Sequence, residues 1–383
     1  MTADRLETTA SGTLLHLEEL TLDTLHGAFR AHVFHDIASR QPVVVLLRGD
    51  VRGPAPLLTR VHSSCVTSET FGGCDCDCVG QLDEALRAIA SEGRGAAFYL
   101  MQEGRGAGFV AKARDRMIVQ ASENRVTTFE AYEQMGLGGD HRRYDQVASA
   151  LRILGIRAPL RLLTNNPDKV AALETEKLTV ESTLPLHEVA SPFNLHYLAS
   201  KSRSGHAFDD PSGASLAAEL PETVRYFDPY PLAGASRFLH AASYLLPIQL
   251  DDSPRNAPSL RSTEPECVPV WFWLHLYFDR ETGVERVVFT HSNGSGALPQ
   301  THVLRETLFG RFPLAEPLQS GSDWRAVATE IAAHGVGCAA FLPTEIGAPT
   351  PSSATDPVRA DAAAAFLLAH HASRLAMANA GTS

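Results

Sequence analysis

The sequence predicts an α/β protein built in two blocks. Strand-like runs alternate with amphipathic helical stripes over residues 28–175. A stretch rich in Ser, Pro, Gly and Asp interrupts the chain after residue 200, and a second ordered block resumes near residue 268. That block echoes the first in the order of its elements. At 383 residues, 44% hydrophobic and 20% charged, the chain has room for two domains and enough apolar content for a sizeable core.

In chain order, residues 1–25 read as an irregular lead-in. Residues 28–35 and 42–47 are β-rich and separated by a polar turn, which predicts a hairpin. Over 81–92, Leu82, Ala85, Leu86 and Ile89 form a helical stripe that Gly93 and Gly95 terminate. Residues 96–101 form a buried strand, 109–120 a second helix and 144–154 a third, ended by Gly155. Residues 160–163 make a strand, and Asn165-Asn166-Pro167 opens the next helix. Residues 268–274 read as a strand.

At a constant offset of 242, Val45-Leu46-Leu47 faces Val287-Val288-Phe289, Thr59 faces Thr301 and Val61 faces Val303. Residues 89–95 face 331–337, and Ala97, Leu100 and Glu103 face Ala339, Leu342 and Glu345. The predicted division is therefore a domain over 1–208, a linker over 209–265, and a smaller, degenerate α/β copy over 266–383.

The net charge of −11 argues against a nucleic-acid or basic membrane-surface protein. No apolar run reaches the roughly 18 residues of a membrane span. The start, Met1-Thr-Ala-Asp-Arg-Leu-Glu7, has no leader pattern, so a cytoplasmic location is expected. Clustered thiols there are better metal ligands than disulfides. Four of the six cysteines, Cys65, Cys74, Cys76 and Cys78, fall within fourteen residues. Three thiolates plus water make a catalytic zinc site, and four close a structural one. Cys267 and Cys338 stand alone and are expected to pack. The second copy has Thr307, Leu318 and Ser320 in place of Cys65, Cys76 and Cys78, so it lacks the thiols.

Several strings give the chain a specific likeness. They are Arg60-Val-His-Ser-x-Cys65, Cys76-Asp-Cys78-x-x-Gln81-Leu82, Gln102-Glu-Gly-Arg105, Arg161-Leu-Leu-Thr-Asn-Asn-Pro167 and His196-Tyr197-Leu198. In this order and spacing the chain resembles the GTP cyclohydrolase II family over about residues 25–208. The resemblance implies a mixed α/β domain that uses Zn²⁺ to open the imidazole ring of GTP in riboflavin biosynthesis. The implied products are a pyrimidine ribonucleotide, pyrophosphate and formate. It also implies Mg²⁺ on the substrate phosphates, with a homodimer among the assemblies open to the chain.

Carried over by position, Cys65, Cys76 and Cys78 match the zinc ligands, leaving Cys74 as an extra. Arg60, Val61, His62, Ser63, Ser64, Gln81, Glu103, Gly104, Arg105, Thr128, Thr164 and Lys169 match GTP-contacting positions. Asp140 matches the proton acceptor and Arg142 the residue assigned as nucleophile toward the α-phosphate. A guanidinium stays protonated and suits a phosphate clamp better than a nucleophile. Glu103 has the right chemistry to accept hydrogen bonds from the guanine N1–H and amine.

The chain departs from the family pattern at Ser64 (usually Glu), Asp75 (usually Arg), Val79 (usually Gly) and Arg116 (usually a Tyr that assists the chemistry). Without that Tyr, ring opening with poor formate release is expected. Two alternatives follow: ring opening of another nucleotide base such as a pyrimidine, or a zinc- and nucleotide-binding pseudoenzyme with a regulatory role.

Overall fold

The computed structural model describes residues 10–187, 190–203, 237–250, 269–305, 324–342 and 357–380. The first sheet begins with β1 (Ala10–Ser11), β2 (Leu14–Thr24), β3 (Gly27–Asp36) and β4 (Gln41–Arg48), paired antiparallel in sequence order. The expected hairpin is thus β3–β4. The expected irregular lead-in is not: residues 14–24 form a long strand whose Leu14 and Leu22 are buried while Glu18 and Glu19 face solvent.

After β5 (Leu57–Ser63) come α1 (Val66–Glu69), α2 (Cys78–Glu92) and β6 (Gly95–Leu100), which pairs parallel to β5 and antiparallel to β4. Every residue of β6 is buried, as befits a strand covered on both faces. The Leu82, Ala85, Leu86 and Ile89 stripe of α2 packs on one face of the sheet. Gly93 ends α2 in the left-handed conformation at φ 74°.

A 3₁₀ turn at Gly104–Gly106 leads to α3 (Phe109–Ala121), α4 (Thr128–Gln134) and α5 (Asp145–Ile153). Then follow β7 (Leu160–Leu163), α6 (Pro167–Thr175), β8 (Val180–Leu184) and α7 (Leu195–Arg203). Asn166 caps α6 with Pro at its first turn, as the sequence predicts. Val147, Ala150 and Leu151 of α5 and Leu173 of α6 cover the opposite face. The sheet order is β1-β2-β3-β4-β6-β5-β7-β8, antiparallel on one side and parallel on the other.

The second sheet comprises β9 (Phe238–Ile248), β10 (Val270–Asp279), β11 (Val284–Ser292), β12 (Gln300–Arg305) and β13 (Val336–Leu342). α8 (Trp324–His334) and α9 (Pro357–Ala380) complete the described residues. β9 falls inside the stretch expected to be linker. Its run from Ser243 to Ile248 is buried and belongs to the sheet, so the second unit begins earlier than residue 266.

The order β12-β13-β11-β10-β9 repeats β5-β6-β4-β3-β2 with the same strand directions. Thr59 pairs with Ala96 and Thr301 with Cys338, the register that the 242 offset requires. In the antiparallel strands the frame slips by one residue: Leu47 pairs with Ala96 but Thr290 with Cys338. Leu47 therefore corresponds to Thr290, not Phe289. β2 and β9 each carry an irregularity, next to Leu17 and Ala241. Thr307, Leu318, Ser320, Glu345 and Cys267 lie outside the described residues. Cys338 packs as expected, fully buried beside α9.

The two sheets meet over the cysteine loop. Phe71, on that loop, is 1% exposed and makes edge contacts with Phe289 and Phe341 of the second sheet and with Trp324. The Trp324 indole donates to the Phe71 carbonyl at 2.9 Å. Gly73 bridges to Ile248, and a side chain there would meet Leu246 at 2.7 Å and the Thr67 carbonyl at 2.9 Å. Gln120 of α3 exchanges two hydrogen bonds with the Leu245 backbone.

Candidate active site

The end of β5, the loop after it and the start of α2 gather three thiols. Cys65 precedes α1, Cys76 lies in the loop, and Cys78 opens α2. Their sulfurs all lie within 4.8 Å of one another, with Cys65 and Cys76 at 3.6 Å. Sulfurs sharing one tetrahedral zinc at about 2.3 Å would stand roughly 3.8 Å apart, so the trio fits a metal ion. Hydrogen bonds with Cys65 and Cys78 pull the Cys76 thiol well below its usual range. Cys74 stands apart: its thiol donates to the Gly72 carbonyl and its N–H to the Pro247 carbonyl of β9. Among the described residues no other His, Cys, Asp or Glu group has such a geometry.

Lys112 and Glu103 brace this trio. The Lys112 ammonium donates to Cys65 Sγ at 2.8 Å and to Glu103 Oε1 at 2.9 Å. Glu103 also accepts from the N–H of Gly104 and, at 2.7 Å, from that of Val66. Burial acts to lower the Lys112 pKa, but the Cys65 thiol and the Glu103 carboxylate hold it well above the lysine range. Burial raises Glu103.

Lys112 escaped the sequence reading, as did the ion pair between Arg116 and Asp75 at 3.1 Å. The signal was present in α3: Lys112, Asp115 and Arg116 share its buried face with Ala111, Ala113 and Val119. Charges on a buried stripe mark a site. Thr128 joins them, its hydroxyl donating to Asp115 Oδ2 at 2.7 Å.

A cationic end adjoins the trio at the carboxyl ends of β5 and β7. Arg60 donates to the Leu163 carbonyl at 2.9 Å and to Gln81 at 2.8 Å. Lys169 donates to the Val61 carbonyl at 2.8 Å. Burial, then the Arg60 and Arg142 guanidinium groups, push Lys169 well below the lysine range. Crowded cations of this kind suit a polyanion. His62 bonds Glu69 at 2.6 Å, and Tyr99 donates to the same carboxylate. Burial lowers His62 despite Glu69.

Arg142 grips Asp140 through several hydrogen bonds. Burial would raise Asp140, yet that grip holds it below the usual carboxylate range. Gly106, at φ 83°, lies so close to His141 that a Cβ would stand 2.7 Å from its carbonyl carbon. This contact brings the 104–108 loop against the Asp140–Arg142 segment.

Not every expected residue points into the site. The Val61 side chain lies in the core, so only its backbone is available. Arg105 stacks on Phe129 at 3.6 Å and on Tyr132 at 5.1 Å. Ser64 and Glu103 line a cavity of about 670 Å³ whose far wall is Phe278, Val284 and Val287 of the second sheet. Ser63 keeps its buried hydroxyl without a partner, and Thr164 accepts from the N–H of Asn166.

A mixed α/β sheet that presents a metal-competent thiol trio beside a cluster of largely buried cations has the make-up of a hydrolytic enzyme. The model of one family, GTP cyclohydrolase II, matches residues 16–185. A GTP cyclohydrolase-2 of Saccharophagus degradans is 39% identical over 202 residues, covering 52% of this chain and 99% of its own length. Those of Pseudomonas putida and Pseudomonas syringae are 41% and 42% identical over 186 residues, 48% of this chain and 89% of theirs. The chain belongs to the GTP cyclohydrolase II family. Among solved structures, a two-domain 3,4-dihydroxy-2-butanone 4-phosphate synthase from A. baumannii matches 47% of this chain and 43% of its own. It is 18% identical with a TM-score of 0.28, too slight a likeness to build on.

Proposed function

We propose that this chain opens the imidazole ring of GTP by hydrolysis, giving a pyrimidine ribonucleotide and pyrophosphate, with zinc held by Cys65, Cys76 and Cys78. The observation that carries this reading is the joint geometry of three thiols within 4.8 Å beside the buried Arg60 and Lys169 and the half-buried Arg142. Zinc in the trio would supply a water whose pKa falls toward neutrality. Three thiolates around Zn²⁺ leave one negative charge, and the Lys112 ammonium against Cys65 balances it.

Arg60, Arg142 and Lys169 would hold the triphosphate, and a Mg²⁺ on the phosphate oxygens would offset the rest of its charge. Phosphate binding draws Arg142 from Asp140, which raises the carboxylate's affinity for a proton and fits it as acceptor. The second sheet, sharing the first sheet's topology without its thiols, is a non-catalytic copy. No described helix is long and apolar enough to cross a membrane.

One observation favours a second reading, the ring of another nucleotide base. Glu103 already accepts from Lys112, Gly104 and Val66, which limits its capacity to read guanine. Incubating the purified protein with GTP and with pyrimidine nucleotides, with and without a zinc chelator, decides between them. Mass spectrometry should show chelator-sensitive consumption of GTP and stoichiometric pyrophosphate. Consumption of a pyrimidine nucleotide instead would move the assignment to the second reading. Metal-bound protein that consumes neither would leave only a binding role.

A further inference from the structure

Tyr197, on α7, has no part in the chemistry described so far. Its ring lies 4.8 Å from the Arg116 guanidinium and 4.8 Å from the Lys201 ammonium. Arg116 pairs with Asp75 at 3.1 Å, and Lys201 with Asp77 at 2.7 Å. Asp75 and Asp77 are the residues on either side of Cys76, and Asp77 precedes Cys78. Two cations that grip the phenol ring are thus each paired to the segment bearing two of the three thiols.

Tyr197 is half-buried, whereas Arg116 is 3% exposed and keeps Nη1 without a hydrogen-bond partner. Tyr197 also lies near enough to Arg142 to raise that guanidinium's pKa. The phenol ring thus rests against two cations tied to the cysteine segment.

Of the other phenols near the site, Tyr144 and Tyr244 of β9 keep hydroxyls without a hydrogen-bond partner, but Tyr244 has no exposure to solvent. Tyr99 donates to the buried Glu69. Tyr132 lies under Arg105 and against Gly104. Tyr144 lies with Arg142, Asp140 and Arg60 at the phosphate end.

Ring opening by one water leaves an N-formyl group. A second water must then release that carbon as formic acid, and the departing nitrogen cannot leave as an amide anion near neutral pH. It needs a proton as the C–N bond breaks. Arg116, permanently charged, is a very poor donor.

We infer that Tyr197 is the proton donor for this second hydrolysis, held over the cysteine segment by the Asp75–Arg116 and Asp77–Lys201 pairs. This rests on the ring-opening reading above. In the step, water oxygen bonds to the formyl carbon and the C–N bond breaks with its electron pair going to nitrogen. The nitrogen takes the phenolic proton, and the phenolate regains a proton from the water that was added. The products are a free amine and formic acid, and no redox change occurs. Formate release is then efficient, in place of the poor release expected from Arg116 alone.

The test compares full-length protein with Tyr197→Phe, measuring formate per GTP consumed, zinc content, and calorimetric affinity for a non-hydrolysable GTP analogue. Formate per GTP should be near one in the parent protein and fall at least tenfold in the variant. A formylated nucleotide should accumulate while zinc content and analogue affinity stay within about twofold. Adding Asp75→Asn and Arg116→Tyr to Tyr197→Phe returns a phenol to the neighbouring position while removing both charges of the pair together, and should restore formate.

Equal formate per GTP in parent and Tyr197→Phe overturns the role, as does a parent that consumes GTP without formate. Loss of zinc with loss of formate also overturns it, because Tyr197 would then be an anchor alone. A parent that leaves GTP intact sinks the ring-opening reading itself, and this role with it.

Discussion

Asp36 ends β3 and has no solvent exposure, yet it is ionised. Burial acts to raise its pKa, but hydrogen bonds from Ser39, Thr13 and Gln146 bring it down to about 2. Gln146 accepts from Gln102 at 3.0 Å, and Gln102 accepts from the Arg143 N–H at 2.8 Å. The carboxylate thus supports the segment that carries Asp140 and Arg142. The folded pKa lies below the unfolded value, so the stabilisation is complete above about pH 4 and fades as pH falls toward 2. The linkage is worth about 2 kcal/mol at neutral pH. Asp36→Asn should lower the melting temperature at pH 7, and the gap to the parent should close between about pH 4 and pH 2. A gap independent of pH would show that the charge is not what matters. The second sheet repeats the device: Asp279 ends β10, is fully buried, and is held low against burial by hydrogen bonds with Arg237 and Thr282.

The loop between α1 and α2 is the element on which the site depends. Cys65, Cys76 and Cys78 converge, whereas Cys74 turns to β9 because Gly73 must pack flat against Leu246. Cys76→Ser should therefore lose the metal, while Cys74→Ser should keep nearly one zinc per chain. Full zinc in the Cys76 variant, measured by elemental analysis, would refute the trio. Legibility followed the same physical lines. The β3–β4 hairpin and α2 were readable because their apolar residues fall at periods of two and near four. The three thiols were readable because sulfur at that density has few other uses. β2 was not, since much of it faces solvent and its alternation breaks near Leu17. The roles of Lys112, Asp75 and Tyr197 were not, although the motif strings contain Tyr197 and the departures contain Asp75, because each gains meaning only from a partner supplied by another part of the chain.

Across the whole molecule, the cysteine loop is shared property: its Phe71 completes the core of the second sheet, ringed by Phe289, Phe341 and Trp324. Phe71→Ala should cost about 3–5 kcal/mol, the usual range for a large buried ring, and should weaken metal binding although position 71 bears no ligand. Tryptophan emission and metal release, followed together in a urea titration, should shift to lower urea in step. Metal affinity equal to the parent's would mean the loop holds its shape without the second sheet. The one-residue slip between the two copies shows why the repeat was visible in sequence but not its full register. β5–β6 kept their spacing, whereas the antiparallel strands moved by one.

The hydrogen bond between Trp324 and Phe71 spans 253 residues of chain. A ribosome releases the first sheet, thiols included, well before it makes the socket for Phe71. Domains fold as they emerge. The nascent chain therefore carries the first sheet with a cysteine loop that Trp324 has not yet clamped. Closure over Phe71 therefore waits on the synthesis of α8, and an early part of the polypeptide takes its final packing from a late one.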